Sequence, residues 1–134
     1  MTKFDGKMEC CGLEQIHVHS DFSLLDGVAA VEEYALRATQ INQNYVCITD
    51  HGMMGVVPRQ IRACEKTGRK PLFGIELYVN NTTVPPEKIK FLPSEEKLEA
   101  STSCHLLAVA SNNIGYKNLV KLSSWAWLNG FYRK

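Results

Sequence analysis

The sequence lacks a large charge bias: 15 Lys and Arg stand against 14 Asp and Glu, leaving a formal net charge of +1. That balance excludes a strongly basic nucleic-acid surface, although a local basic patch remains compatible with it. No apolar run approaches the roughly 20 residues of a membrane span, so a membrane partner is excluded. The opening residues Met1 to Cys10 carry no apolar core of a secretory leader, and a cytoplasmic setting is expected. The five cysteines, Cys10, Cys11, Cys47, Cys64 and Cys104, are odd in number and contain no Cys-x-x-Cys pair. This argues against a disulfide framework and for a reducing compartment. There is no low-complexity tract and no internal repeat. What is present is ordinary for one globular domain: 134 residues, 45% hydrophobic and 22% charged.

The pattern alternates strands and helices. Residues 1–14 read as an N-terminal arm whose end runs into a first strand, Leu13 to His19. Val31, Tyr34, Ala35, Ala38 and Ile41 recur at helical spacing, and Asn42 and Asn44 suit the exit of that helix. Tyr45 to Thr49 is a short apolar run of β-forming residues, as expected of a strand buried on both faces. A second helix is expected from about Gly55 to Pro58, with Val57, Ile61 and Cys64 on one face and Gly68 as its cap. Its Arg59, Arg62, Lys66 and Arg69 read as a solvated face. Pro71 to Val79 follows as a third strand and 80–103 as a long surface loop with room for a hairpin or a helical turn. Ser103 to Ala110 forms a fourth strand, and a last helix is opened by Asn112 or Asn113 and closed by Gly130. Trp125 and Trp127 read as core or interface aromatics. The alternation predicts an α/β fold with a parallel sheet built of right-handed βαβ units.

The chemistry-bearing residues gather where such a fold collects function, at the carboxyl ends of strands. His17 and His19 are two apart on a strand and share a face. Asp26 returns a carboxylate after a short polar loop, His51 ends the second strand, and Glu76 lies in the latter half of the third. An isolated His-x-His is as often one core histidine and one exposed one. A carboxylate in an apolar run needs a partner, either a structural ion pair or a metal. His105 stands near the start of its strand, which fits a parallel arrangement poorly. Taken together, the set favours a polynuclear site for zinc, manganese or iron. Such ions generate hydroxide and clamp both oxygens of a phosphoester.

Four stretches carry a family resemblance. They are His17-Val-His-Ser-Asp-Phe-Ser-Leu-Leu-Asp-Gly27, Ile48-Thr-Asp-His-Gly52, Lys70-Pro-Leu-Phe-Gly-Ile-Glu-Leu-Tyr-Val79 and His105-Leu-Leu-Ala108. With Gly115 to Ser124 and Gly130 to Lys134, they make residues 15–134 resemble the PHP (polymerase and histidinol phosphatase) domain, in the version found in bacterial and phage DNA polymerase III alpha subunits. The resemblance implies a distorted (β/α)7 barrel of which this chain supplies the first half. It also implies up to three divalent ions and a metal site of His17, His19, Asp26, His51, Glu76 and His105. His17, His19 and His51 are the residues it nominates for catalysis. The later ligands of the family and the polymerase palm are absent, so the chain is expected to be a partial domain of a larger DNA-directed polymerase.

Three functions follow as expectations. The first is a metal-dependent phosphoesterase or 3′–5′ exonuclease serving DNA replication, with DNA and the remaining polymerase segments as partners. The second is a non-catalytic platform that stabilises the polymerase or docks a proofreading exonuclease subunit. The third is a histidinol-phosphatase-like or amidohydrolase-like enzyme, against which Glu76 and the Gly-Tyr-Lys-Asn-Leu stretch argue.

Overall fold

The computed structural model describes residues 14–80, 82, 84, 86–101 and 103–130. The arm expected before residue 14, including Cys10 and Cys11, and the closing residues 131–134 lie outside the described residues. In chain order the elements are α1 (Val31–Gln40), β1 (Tyr45–Ile48), α2 (Val57–Thr67), β2 (Lys70–Asn80), α3 (Pro86–Ile89), α4 (Ser94–Ser101), β3 (Ser103–Val109) and α5 (Asn113–Trp125). A π-helical turn, Ala126–Gly130, extends α5.

The three strands form one sheet in the order β1-β2-β3. β1 runs parallel to the first part of β2, with Tyr45 opposite Lys70 and Ile48 opposite Phe73. β3 runs antiparallel to the second part, with Gly74 opposite Val109 and Asn80 opposite Ser103. The expectation of an all-parallel sheet is therefore corrected at its last strand. The physical reason lies in the connection: 80–103, read as a surface loop, contains the short helices α3 and α4 and returns the chain beside the end of β2. A parallel β3 would have needed a crossover back to the start of β2.

A second correction concerns the stretch read as the first strand. Residues 14–20 belong to no ladder. Thr49 N–H donates to Val18 O at 2.8 Å, but Val18 N–H turns to the Thr49 side-chain Oγ1 at 3.1 Å, and a side chain thus takes a ladder acceptor's place. Nearby, the Glu14 carboxylate accepts from Asn44 N–H at 3.0 Å and from Tyr45 N–H at 3.3 Å. The alternation holds only in part. Val18 packs against the core, whereas Ile16 is exposed.

The helices form where their periodicity predicts. α1 buries Val31, Ala35 and Ala38, and Glu33 accepts from Ala30 N–H at its start. Asn42 leaves the helix at φ 56°, a left-handed conformation asparagine tolerates. α2 buries Val57, Gln60, Ala63 and Cys64 and ends on Gly68 at φ 68°. Together α1, α2 and β1 close one core around Val31, Ala35, Val46, Ile48, Val56 and Cys64. Ile75 and Leu77 of β2 form a smaller one with Leu119 of α5, whose N-cap Asn112 accepts from Ile114 and Gly115 N–H. Gln60 is fully buried and donates to Val46 O at 2.8 Å and Leu72 O at 2.9 Å, tying α2 to both parallel strands. Of the reading of Trp125 and Trp127 as core or interface aromatics, the core placement is not met, since both are exposed. Trp127 Nε1 donates to Gly52 O at 2.7 Å. Among the described residues no helix is long and apolar enough to cross a membrane.

Candidate metal centre

Backbone pairing sets the site. Past the end of β1 the chain stays beside β2: Glu76 N–H donates to Asp50 O at 3.1 Å and Gly52 N–H to Glu76 O at 2.8 Å, which puts His51 directly opposite Glu76. On the other edge of β2, Tyr78 pairs with His105. Residues 76 and 78 share a face of the strand, so His105 joins that face from the neighbouring strand. The antiparallel turn of β3 thus resolves the awkward position of His105, because the start of β3 lies at the end of β2. His17 and His19 reach the same place from the extended segment held by Thr49.

All four histidines of the chain converge on one carboxylate, and Glu76 is 1% exposed. Its Oε1 lies 3.4 Å from His17 Nε2 and 2.8 Å from His105 Nδ1. Its Oε2 lies 3.4 Å from His19 Nε2 and 2.7 Å from His51 Nδ1. On the outer side, Asp26 Oδ2 is 2.7 Å from His51 Nε2 and 3.8 Å from His19 Nε2. The hydrogen bond from His51 foremost, then the charges of His19, His51 and His17, outweigh partial desolvation and hold the Asp26 carboxyl below its usual range. All six residues singled out from the sequence are therefore in one cluster.

The fit to divalent ions is tested by atoms that find no other use. Glu76 Oε2 is buried without a hydrogen-bond partner. The 2.7 Å approach of His51 Nδ1 to Oε2 is close but out of line for a hydrogen bond, and Nδ1 instead meets the Tyr78 hydroxyl at 3.0 Å. His17 Nε2 and His19 Nε2 face each other at 3.1 Å. Ligand atoms about 2.0–2.2 Å from a tetrahedral zinc lie roughly 3.3–3.5 Å from one another. The separations of His17 from Glu76 Oε1 and of His19 from Glu76 Oε2, both 3.4 Å, are each of that order, on different oxygens of the carboxylate. Two groups, His17–His19–Glu76 and His19–Asp26–His51, each bring their ligand atoms within 4.8 Å. Imidazole and carboxylate donors suit zinc, manganese and iron. His19 Nε2 has one lone pair and serves one ion at a time, whereas the two oxygens of Glu76 can bridge.

Residues 15–134 match the PHP domain family. The chain belongs to that family. The PHP match is joined by similarity to proteins named DNA polymerase III subunit alpha. The one from Borreliella burgdorferi is 40% identical over 117 residues, covering 87% of this chain and 10% of that protein. The one from Treponema pallidum is 38% identical over 120 residues, covering 89% of this chain and 10% of its own length. The Helicobacter pylori protein is 35% identical over 117 residues. This PHP domain chain spans about a tenth of the length of the curated relatives it matches.

Two residues that the sequence did not single out stand at the histidine–carboxylate cluster. Tyr78, two positions after Glu76, presents its hydroxyl to His51, and desolvation, with Glu76 and Asp26 nearby, raises its pKa. Asp50, immediately before His51, is 1% exposed and accepts three hydrogen bonds from the segment that follows His19. The signal for Tyr78 was the period of two from Glu76. For Asp50 it was a carboxylate between buried Thr49 and a candidate ligand, with Ser20 and Ser23 supplying hydroxyls elsewhere in the sequence.

Proposed function

We propose that this chain is the PHP portion of a replicative DNA polymerase of the DNA polymerase III alpha type, working in the cytoplasm, and that its histidine–carboxylate cluster is a metal-dependent phosphoesterase site acting as a 3′–5′ exonuclease on DNA. The observation that carries this reading is the convergence of four histidines on the buried Glu76. A buried carboxylate among imidazoles is costly unless a cation shares it. The alternation of strands and helices in this half-sheet supports its membership in a distorted (β/α)7 barrel, with the antiparallel β3 as one of its distortions.

In this reading His17, His19 and Glu76 hold one divalent ion, and His51, Asp26 and His105 supply further donors around the shared carboxylate. Ions bound there supply Lewis acidity and a water ionised near neutral pH. The protein's own contribution is placement. Glu76 is fixed by backbone pairing on both edges of β2, and the His51 ring is held between Asp26 and Tyr78. Asp26 and Tyr78, both exposed residues, stand on the solvent side, where a terminal phosphodiester would enter.

Metal analysis of the purified full chain, with an assay of nucleotide release from 3′-labelled single-stranded DNA, tests the proposal. The expected result is bound zinc, manganese or iron, and release that chelator or His19→Ala abolishes. A metal-free chain with no release of nucleotide overturns the exonuclease reading and leaves the structural platform. Release of phosphate from small monoesters with none from DNA points to the histidinol-phosphatase-like alternative.

A further inference from the structure

Between His19 and Asp26 the chain makes a tight polar loop that nothing in the sheet holds. It contains Leu25 at φ 71°, a left-handed conformation that a leucine adopts at a cost of about 1–2 kcal/mol elsewhere in proteins. Side chains from other elements hold it: the Tyr34 hydroxyl donates to His19 O at 2.9 Å, Arg59 pairs with Asp21 at 3.1 Å, and Asp50 makes the largest set of contacts. Asp50 Oδ1 accepts from Ser20 N–H at 2.7 Å and from the Ser23 hydroxyl at 2.7 Å. Asp50 Oδ2 accepts from the Ser20 hydroxyl, also at 2.7 Å. The two serines transmit the hold in both directions. Ser20 Oγ accepts from Phe22 N–H at 3.2 Å, and Ser23 Oγ accepts from His51 N–H at 3.2 Å. Ser23 O in turn takes Asp26 N–H at 3.1 Å and Gly27 N–H at 2.8 Å. Ser20 and Ser23 are both buried.

We propose that Asp50 is a positioning residue for the candidate ligands His19, Asp26 and His51, clamping the loop whose ends carry the first two against the strand end that carries the third. The inference rests on the metal reading of the cluster and adds a residue outside the ligand set. Its logic is chemical. The three groups all donate to Asp50, whose two carboxylate oxygens are acceptors. An asparagine that keeps its oxygen on Ser20 N–H and Ser23 presents its amide N–H₂ to the Ser20 hydroxyl, which reverses that arm and removes the charge from the clamp. Through Ser20 beside His19, and through Ser23, which takes His51 N–H on its hydroxyl and Asp26 N–H on its carbonyl, Asp50 couples the spacing of the three ligands.

The test is a titration of cobalt(II) into the full chain, read by calorimetry and by the visible d–d absorption, on the unaltered chain and on Asp50→Asn, Ser23→Ala and Gln60→Met. Gln60→Met is the control for general destabilisation, since Gln60 ties α2 to the sheet away from the site. Replacing a group that orients metal ligands weakens binding about 10- to 100-fold. The expected result is a loss of that size with an altered d–d spectrum in Asp50→Asn and Ser23→Ala, and unchanged affinity and spectrum in Gln60→Met despite a lower melting temperature. Affinity and spectrum unchanged in the first two variants overturn the inference while leaving the metal site standing. An equal loss in the Gln60 control overturns it as well, and an unaltered chain that takes up no cobalt overturns both readings. If Asp50→Asn does not fold, Ser23→Ala decides.

Discussion

Glu76 is where the residue-level energetics of this domain concentrate. It carries a buried carboxylate that four imidazoles approach and that leaves one oxygen without a hydrogen bond. Without an ion that arrangement is a cost, and with one it is the centre of the site. Glu76→Gln should therefore separate stability from binding. At pH 8 the metal-free variant is expected to melt no lower than the parent, while the rise in melting temperature that zinc gives the parent disappears. Thermal scans with and without chelator check this, and an equal zinc-dependent rise in the variant would refute it. The candidate ligands were legible from residue type and, for His51 and Glu76, from strand position, whereas His105 was carried by the family resemblance alone and His17 and His19 lie on an extended segment outside the sheet. Asp50 and Tyr78 were not, because their roles depend on which hydroxyl or ring nitrogen faces them, and no spacing rule encodes that. A second residue-scale expectation concerns thiols. Burial pushes Cys47 and Cys64 from an ordinary 9.0 up to about 11. Each folded-state pKa is raised, so the associated stability is present below about pH 9 and is lost as pH rises through about 11. At pH 8 both thiols should resist iodoacetamide in the folded chain while the exposed Cys104 is alkylated, as site-resolved mass spectrometry would read.

At the scale of elements, the loop from Ser20 to Gly27 and the end of α2 use glycine for different reasons, and substitution should tell them apart. A Cβ on Gly27 would land on the Ser20 carbonyl, which is backbone and cannot swing away. Gly27→Ala must open the loop, so it should cost at or above the upper end of about 1–3 kcal/mol and weaken metal binding through the displaced Asp26. Gly68 sits at φ +68° with nothing within 4 Å of a new Cβ. Gly68→Ala should cost about 1–2 kcal/mol and leave metal affinity unchanged. Chemical denaturation and a zinc titration on each variant measure the contrast, and equal metal affinities in the two would count against the loop's part in the site. α1, α2 and α5 were legible because their apolar spacing and caps are local, although Ile61, expected on the inner face of α2, is exposed, and α3 and α4 were read as loop. The direction of β3 was not, since Ser103 to Ala110 reads the same whichever way it pairs. Its orientation is set by where α3 and α4 deliver the chain. The segment before Ser20 looked like a strand for the same reason: alternation shows which way side chains point, not whether a neighbour offers a ladder.

At the scale of the whole molecule, the candidate ligands tie together parts that the cores leave separate. One core joins α1, α2 and β1, and the other joins β2 and α5. His17, His19 and Asp26 come from the segment before α1, His51 from beyond β1, Glu76 from β2 and His105 from β3. An ion bound among them adds a cross-link that the unfolded chain does not make, so it stabilises the native state by mass action. At a free concentration 100 times its dissociation constant, that amounts to about 2.7 kcal/mol. Domains near this size move their melting temperature by about 2–8 °C per kcal/mol. Saturating zinc or manganese should thus raise the melting temperature of the full chain by about 5–20 °C, and chelator should reverse the rise. Hydrogen exchange should locate the effect. Protection should increase at Ser20 to Gly27, at Asp50 to Gly52 and at the paired ends of β2 and β3, whereas the α1–α2 core should change by no more than the global shift. If the ion instead protects only residues around His17 and His19, the cluster acts as a surface His-x-His site and Glu76 is not its centre.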